Sequence, residues 1–162
     1  MVDKLIIRQA VSEDIDSICR IEDVSFPTSW RRDTYEKEME RDLSIFLVAE
    51  TETQVIGFAL SWAYAGELHI LKVAVDPTFR RGGIAMAMME RTNEIARRRL
   101  CLLGYLEVRP SNPPALRLYE KLGYQKAGMR KNYYTDTNED AIIMAIKLEY
   151  PTFVKDEDDA SG

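Results

Sequence analysis

The stretch Leu-Lys-Val-Ala-Val-Asp-Pro-Thr-Phe-Arg-Arg-Gly-Gly-Ile-Ala-Met-Ala, residues 71–87, decides how the rest of the chain is read. Leu71, Val73, Ala74 and Val75 read as a buried strand, Pro77 stops it, and a basic glycine loop runs into the first turn of a helix. A helix start leaves about four backbone N–H groups without partners and carries a partial positive charge, so the arrangement is a site for an anion. Gly82 and Gly83 let a phosphate approach the backbone of Ile84, Ala85 and Met86, and Arg80 and Arg81 attract it from a distance. The same residues also fit a plain turn with two solvated arginines. The loop has neither the Gly-Lys-Ser/Thr ending of a P-loop nor the G-x-G-x-x-G of a dinucleotide fold, which disfavours nucleotide hydrolysis and hydride transfer.

Outward from this loop towards the N-terminus, Glu67 to Val75 continues a sheet begun by a hairpin, Ile45–Thr51 and Gln54–Ala65, around Glu52-Thr53. Earlier still, Lys4–Gln9 reads as a strand, and Ser12 as the N-cap of a helix with Glu13 and Asp14 in its first turn and Ile15, Ile18 and Cys19 on one face. That helix ends near Val24, Phe26 to Trp30 form a turn, and Arg31–Arg41 is a charged helix with Tyr35 and Met39 as its apolar stripe. Towards the C-terminus, Ile84, Met88, Met89, Thr92, Ile95 and Ala96 recur at helical spacing, and Arg97 to Arg99 close the helix. Leu102–Val108 follows as a strand, so a right-handed crossover makes it parallel to the strand ending at Val75. A helix over Asn112–Leu122, with Gly123 past its end, and a final antiparallel pair, Tyr124–Arg130 and Ala141–Leu148, complete the fold.

The length of 162 residues suits one domain, here 1–150, followed by an acidic tail at 151–162 expected to be disordered. Hydrophobic residues make up 46% and charged residues 30%, no apolar run is long enough to span a bilayer, and the first twenty residues do not resemble a signal peptide, so a cytoplasmic protein is expected. Cys19 and Cys101 have neither metal-type nor redox-type spacing and read as reduced thiols, with no metal site expected. Net charge is −5, to which Lys155 and the four acids Asp156 to Asp159 contribute −3, and this balance gives no support to nucleic-acid binding. Arg97 to Arg99 make one basic spot, which also suits a solvated helix end.

Arg80-Arg81-Gly82-Gly83-Ile84-Ala85 fits Gln/Arg-x-x-Gly-x-Gly/Ala, the pyrophosphate signature of the GNAT acetyltransferases, and the chain resembles that family over roughly residues 4–149. The second half sharpens the resemblance: Leu106-Glu107-Val108-Arg109, Ser111-Asn112, Ala115 through Tyr124, and Asn132-Tyr133-Tyr134 before Glu139-Asp140-Ala141 are similar to the RimI and Ard-type enzymes, which acetylate the α-amino group of protein N-termini. The resemblance implies an α/β (α+β) GNAT fold with a mixed, mostly antiparallel sheet of about seven strands flanked by helices. It further implies that the strands ending at Val75 and Val108 splay, and that the pantetheine arm of acetyl-CoA lies in the cleft against the backbone of Val73, Ala74 and Val75. Protein N-termini, on ribosomal or nascent chains, become the substrate, and an auxiliary subunit is compatible with the pattern.

Acetyl transfer from a thioester needs a neutral amine, stabilisation of the carbonyl oxygen and relief of charge on the departing sulfur. An α-amino group, with a pKa of about 7.7–8.0, loses its proton far more readily than a lysine near 10.4, so the base has a light task. By resemblance Glu107 is that base and Tyr119 donates towards the sulfur, while Asn112 contacts the cofactor. Read without the resemblance, Glu107 is a strand carboxylate paired with Arg109 or Arg130, Tyr119 is core packing, and Asn112 is a helix cap. Tyr133 and Tyr134, with Phe26 and Trp30, would line the peptide entrance; two adjacent tyrosines also suit a loop edge. His69, the only histidine, stands where Ard-type enzymes have one and either shares base duty or is structural. Phe26-Pro27-Thr28-Ser29 departs from the Leu-Pro-Glu-Asn of the Ard group. The alternatives to N-terminal acetylation are the same chemistry on lysine or a small amine, and an inactive CoA-binding scaffold.

Overall fold

The computed structural model describes residues 4–148, so the tail expected at 151–162 lies outside the described residues. The chain runs β1 (Ile6–Gln9), α1 (Ile15–Ser25), α2 (Arg32–Glu40), β2 (Ser44–Glu50), β3 (Val55–Tyr64), β4 (Glu67–Val75), α3 (Ile84–Arg98), β5 (Leu103–Val108), α4 (Pro113–Lys121), β6 (Gln125–Tyr134) and β7 (Glu139–Lys147). The described strands form one seven-stranded sheet in the order β1-β2-β3-β4-β5-β7-β6. Only β4 and β5 pair in parallel, as the crossover through α3 requires.

Each face of the sheet carries its own helix layer. Ile15, Ile18 and Ile21 of α1 recur at helical spacing and pack with Tyr35 of α2 on Phe46, Val48, Phe58 and Leu60. On the other face, Ile84, Met88, Met89 and Ala96 of α3 and Tyr119 of α4 cover Leu47, Ile56, Leu68, Ile70 and Leu106, Ile56 being turned there by a bulge opposite Ala49 and Glu50. Each such buried side chain contributes about 1.5–3 kcal/mol, so the two layers hold the central strands from both sides.

One irregularity shapes everything that follows. The β4–β5 pairing runs from Glu67 opposite Leu103 to Ile70 opposite Leu106 and stops there. β4 continues to Val75 along β3, and β5 continues to Val108 along β7. Leu71 is the extra residue of a bulge between Leu60 and Ser61 on β3, and such a residue bends its strand. Past Ile70 the edge of β4 that faces β5 has no strand partner among the described residues.

Two local expectations are corrected. Ser12 does not cap α1: it opens a 3-10 turn, Ser12–Asp14, and Asp14 reaches back to accept from Val11 N at 2.9 Å, because Arg8 holds that carboxylate in place. Tyr133 and Tyr134 are not on a loop edge but end β6, whose bulges after Lys126 and after Arg130 let the strand run beyond Arg130.

Candidate active site

The anion loop is held from both ends. Asp76 accepts from Thr78 N at 3.0 Å and pairs with Arg20 at 2.7 Å, which stops β4 and starts a short 3-10 turn at Pro77. Arg20 and the Thr78 amide hold the Asp76 carboxyl below the usual range. Arg80 turns back so that its Nε donates to Val75 O at 3.1 Å, bracing the loop against the strand end. Arg81 and Gly83 adopt left-handed backbone (φ 72° and 75°), so the special conformation falls on Arg81 and not on Gly82. No side chain caps α3 at Gly83, and a Cβ there would meet nothing within 4 Å. An uncapped helix start opening onto free space fits the pyrophosphate of a CoA ester. The unpartnered edge of Val73 to Val75 fits its extended arm.

Where β4 and β5 part, alternation along β5 decides what faces outward. Leu106 and Val108 point into the α3–α4 core, so Glu107 faces the opposite side, beside His69 of the adjoining strand. His69 Nε2 lies 2.7 Å from Glu107 Oε2. The other carboxylate oxygen is 3.5 Å from Arg130 Nε, and the Glu107 side chain is only 7% exposed. Tyr105 stacks on the His69 ring with centroids 4.3 Å apart, while Trp62 meets it edge-on at 6.4 Å. The Trp62 indole donates to Glu38 at 2.8 Å, so the imidazole sits between two fixed rings. Of the two arginines expected near Glu107, Arg130 is its partner and Arg109 is not.

Two aromatic clusters belong to the strands that carry this pair and their neighbours. On the β4 side, Lys72 Nζ lies 4.2 Å from the centroid of Phe26 and 4.3 Å from that of Trp30, and it pairs with Glu22. Glu22 is buried, and it also accepts from Trp30 N at 2.9 Å and Tyr35 Oη at 2.6 Å. Burial pulls the Lys72 ammonium below its ordinary value despite Glu22. On the β5 side, Tyr133 and Tyr134 meet edge to face at 5.0 Å, and burial pushes the Tyr134 hydroxyl up to about 12. Arg109 donates to both carboxylate oxygens of Asp136 and stands over the Tyr134 ring.

Tyr119 is buried against Leu106, Val108 and Tyr124, and that burial pushes its hydroxyl up, keeping it protonated. Asn112 Oδ1 accepts from Ala115 N at 3.3 Å, so the residue caps α4 and keeps its amide N–H₂ free of that bond. The sequence pattern missed Lys72, Glu22, Tyr105 and Trp62. Strand alternation alone sets Lys72, three residues past His69, on the other face, and the extra residue Leu71 is what changes that. Two hollows of about 540 and 420 Å³ flank Gln125 and Lys126 of β6 and contain none of these residues.

The chain matches the family model described as Acetyltransferase (GNAT) family over residues 15–124. It is 35% identical to the ribosomal protein bS18-alanine N-acetyltransferase of Escherichia coli (strain K12), covering 83% of this chain and 92% of that protein. It is 30% identical to the N-alpha-acetyltransferase of Sulfurisphaera tokodaii, over 88% of this chain and 92% of the other. Among solved structures, Ard1 from Thermoplasma volcanium superposes with a TM-score of 0.84 at 30% identity, covering 90% of this chain and 99% of that one.

Proposed function

The chain belongs to the acetyltransferase (GNAT) family, and with acetyl-CoA as its acyl donor we propose that it acetylates the α-amino group of protein N-termini. The observation that carries this reading is the Glu107–His69 pair, set where β4 and β5 part. Of the relatives named above, one is an N-alpha-acetyltransferase and another an alanine N-acetyltransferase of a ribosomal protein.

Bound acetyl-CoA supplies an activated acyl thioester. Arg80, Arg81, Gly82, Gly83 and the first-turn amides of Ile84, Ala85 and Met86 hold its phosphates, Val73, Ala74 and Val75 pair with its arm, and Asn112 offers an amide. The neutral amine would attack the thioester carbon, forming the N–C bond as the C–S bond breaks to release the CoA thiolate, with Glu107 taking the proton the nitrogen sheds and His69 linking that carboxylate to solvent. The task is light because an α-amino group near pKa 7.7–8.0 is already neutral in about a tenth or more of molecules at pH 7. Tyr119 donates a hydrogen bond towards the departing sulfur and keeps its proton, since a buried phenol is a weaker acid than a thiol of pKa about 8.5. Neither cysteine enters: burial pushes both thiols up, and both pack in the helix layers, so attack is direct and no acyl-enzyme forms.

A narrow entrance between the Phe26–Trp30 and Tyr133–Tyr134 aromatic groups would admit an extended peptide end and exclude a lysine with backbone on both sides, so substrates beginning with small residues such as Ala or Ser are expected. Ribosomal or nascent chains would offer such ends in the cytoplasm. Product mass is measured on a short peptide with a free Ala or Ser terminus and on a blocked peptide with one internal lysine, at matched concentration. Acetylation of the first and little of the second is expected; comparable rates reject the N-terminal assignment.

A further inference from the structure

Arg109 lies one residue beyond β5 and two beyond Glu107, and its guanidinium engages the β6–β7 turn. Its Nη1 and Nη2 donate to the two carboxylate oxygens of Asp136 at 2.9 and 3.0 Å, and Nη1 donates also to Thr137 Oγ1 at 2.7 Å. Cζ stands 3.9 Å over the centroid of Tyr134. Beside it, Ser111 donates to Glu139 twice, from Oγ at 2.8 Å and from its amide at 3.2 Å. The β6–β7 turn is thereby fastened to the β5–α4 connection. β6 is an edge strand with two bulges, paired only on its β7 side, so the backbone alone does not hold this hairpin end in one place. A planar fork that binds a carboxylate with two N–H groups and stacks on a ring fixes orientation as well as distance, which a lysine cannot do.

We propose that Arg109 is a positioning residue that seats Tyr134 at the peptide entrance, so that it governs how tightly the acceptor peptide is held and not the proton transfer itself. This rests on the N-terminal reading above. The separation follows from the contacts: Glu107 is held directly by His69 at 2.7 Å and Arg130 at 3.5 Å, whereas Arg109 is connected to it through ring contacts, Tyr134 on Tyr133 and Tyr133 under Arg130 at 5.9 Å. Loss of the clamp leaves base and cofactor loop in place and frees the Tyr134 side of the peptide entrance.

The test is steady-state kinetics of the full-length protein on the free-terminus peptide. Arg109→Gln raises peptide KM about tenfold, with kcat changing less than KM and the acetyl-CoA thermal shift preserved. Asp136→Asn, made on the exposed partner so that the fold is not at stake, moves KM in the same direction, and Arg109→Lys falls between wild type and Arg109→Gln. The decisive arm is Tyr134→Ala: adding Arg109→Gln to it produces no further rise in KM, whereas a general structural role would add to it. Unchanged KM in both single variants, a fall in kcat at constant KM, or full additivity with Tyr134→Ala overturns the proposal. Variants are compared with wild type on whichever amine the wild type accepts, so preference of the wild type for the blocked lysine peptide rejects the N-terminal reading and leaves the clamp to be judged by these ratios.

Discussion

Glu107 combines a side chain nearly removed from water, an imidazole at 2.7 Å and a place on β5 just past the last residue paired with β4, which suits a proton acceptor. Glu107→Gln keeps shape and hydrogen bonding but cannot take a proton, so kcat falls by about 10²–10⁴ while the acetyl-CoA thermal shift stays as in wild type. A Glu107→Gln/His69→Ala double variant no slower than Glu107→Gln would remove His69 from the proton path. Glu22 shows the same burial used for structure. Its carboxylate is 1% exposed and receives Trp30 N, Tyr35 Oη and Lys72 Nζ, so Lys72→Met leaves a buried charge with only neutral donors. Thermal melts should show a loss of about 3–5 kcal/mol for Lys72→Met, most of it recovered in Lys72→Met/Glu22→Gln.

At the scale of elements, β4 and α3 form one unit whose hinge is the loop from Asp76 to Gly83. Gly83→Asp has space for its side chain but must adopt φ 75° and brings a negative charge to the uncapped helix start. The fold survives with a small loss of Tm, and acetyl-CoA no longer raises that Tm; a wild-type-sized shift in the variant would sink the phosphate assignment. Gly57 on β3 serves the same unit from behind. A Cβ there would come within 3.0 Å of Ala74 O and 3.1 Å of Met88 Cε, so β3, β4 and α3 close up only around a glycine. The methionine end can yield but the carbonyl cannot, and Gly57→Ala should cost about 1–3 kcal/mol in denaturant unfolding.

Across the molecule, two ion pairs tie the first layer to the sheet: Arg8 with Asp14 where β1 leads into α1, and Arg20 of α1 with Asp76 at the end of β4. Burial pushes the Asp14 carboxyl up, but Arg8 and the Val11 amide outweigh it and leave it below its ordinary value. Arg20 lowers Asp76 in the same way. A carboxyl whose folded pKa lies below its unfolded value, about 3.9, adds stability that is complete above that value and disappears as pH falls through the folded pKa. Urea unfolding should therefore find Asp14→Asn less stable than wild type by about 1–3 kcal/mol at pH 7, with the gap closing only below about pH 4. A gap that stays constant down to pH 3 would remove the ion pair as its source. Among the described residues no helix is long and apolar enough to cross a membrane.

The order of elements was legible from the chain alone because each carries its own period: Ile84, Met88, Met89 and Ala96 repeat as a helix does, and β4 was bounded at Glu67 and Val75 by a turn and a proline. The anion loop was legible for the same reason, since its glycines, arginines and following helix are contiguous. Pairings that join distant residues were not. Glu107 could be matched to either nearby arginine, and only the hairpin of β6 and β7 brings Arg130 to it while drawing Arg109 away to Asp136. Lys72 read as one more strand lysine until the bulge at Leu71 and the packing of α1 set it between Phe26, Trp30 and Glu22. Local period and turn chemistry are properties of neighbouring residues and are written in sequence. Which carboxylate a cation meets depends on register, bulges and layer packing, and these are settled only when the sheet assembles.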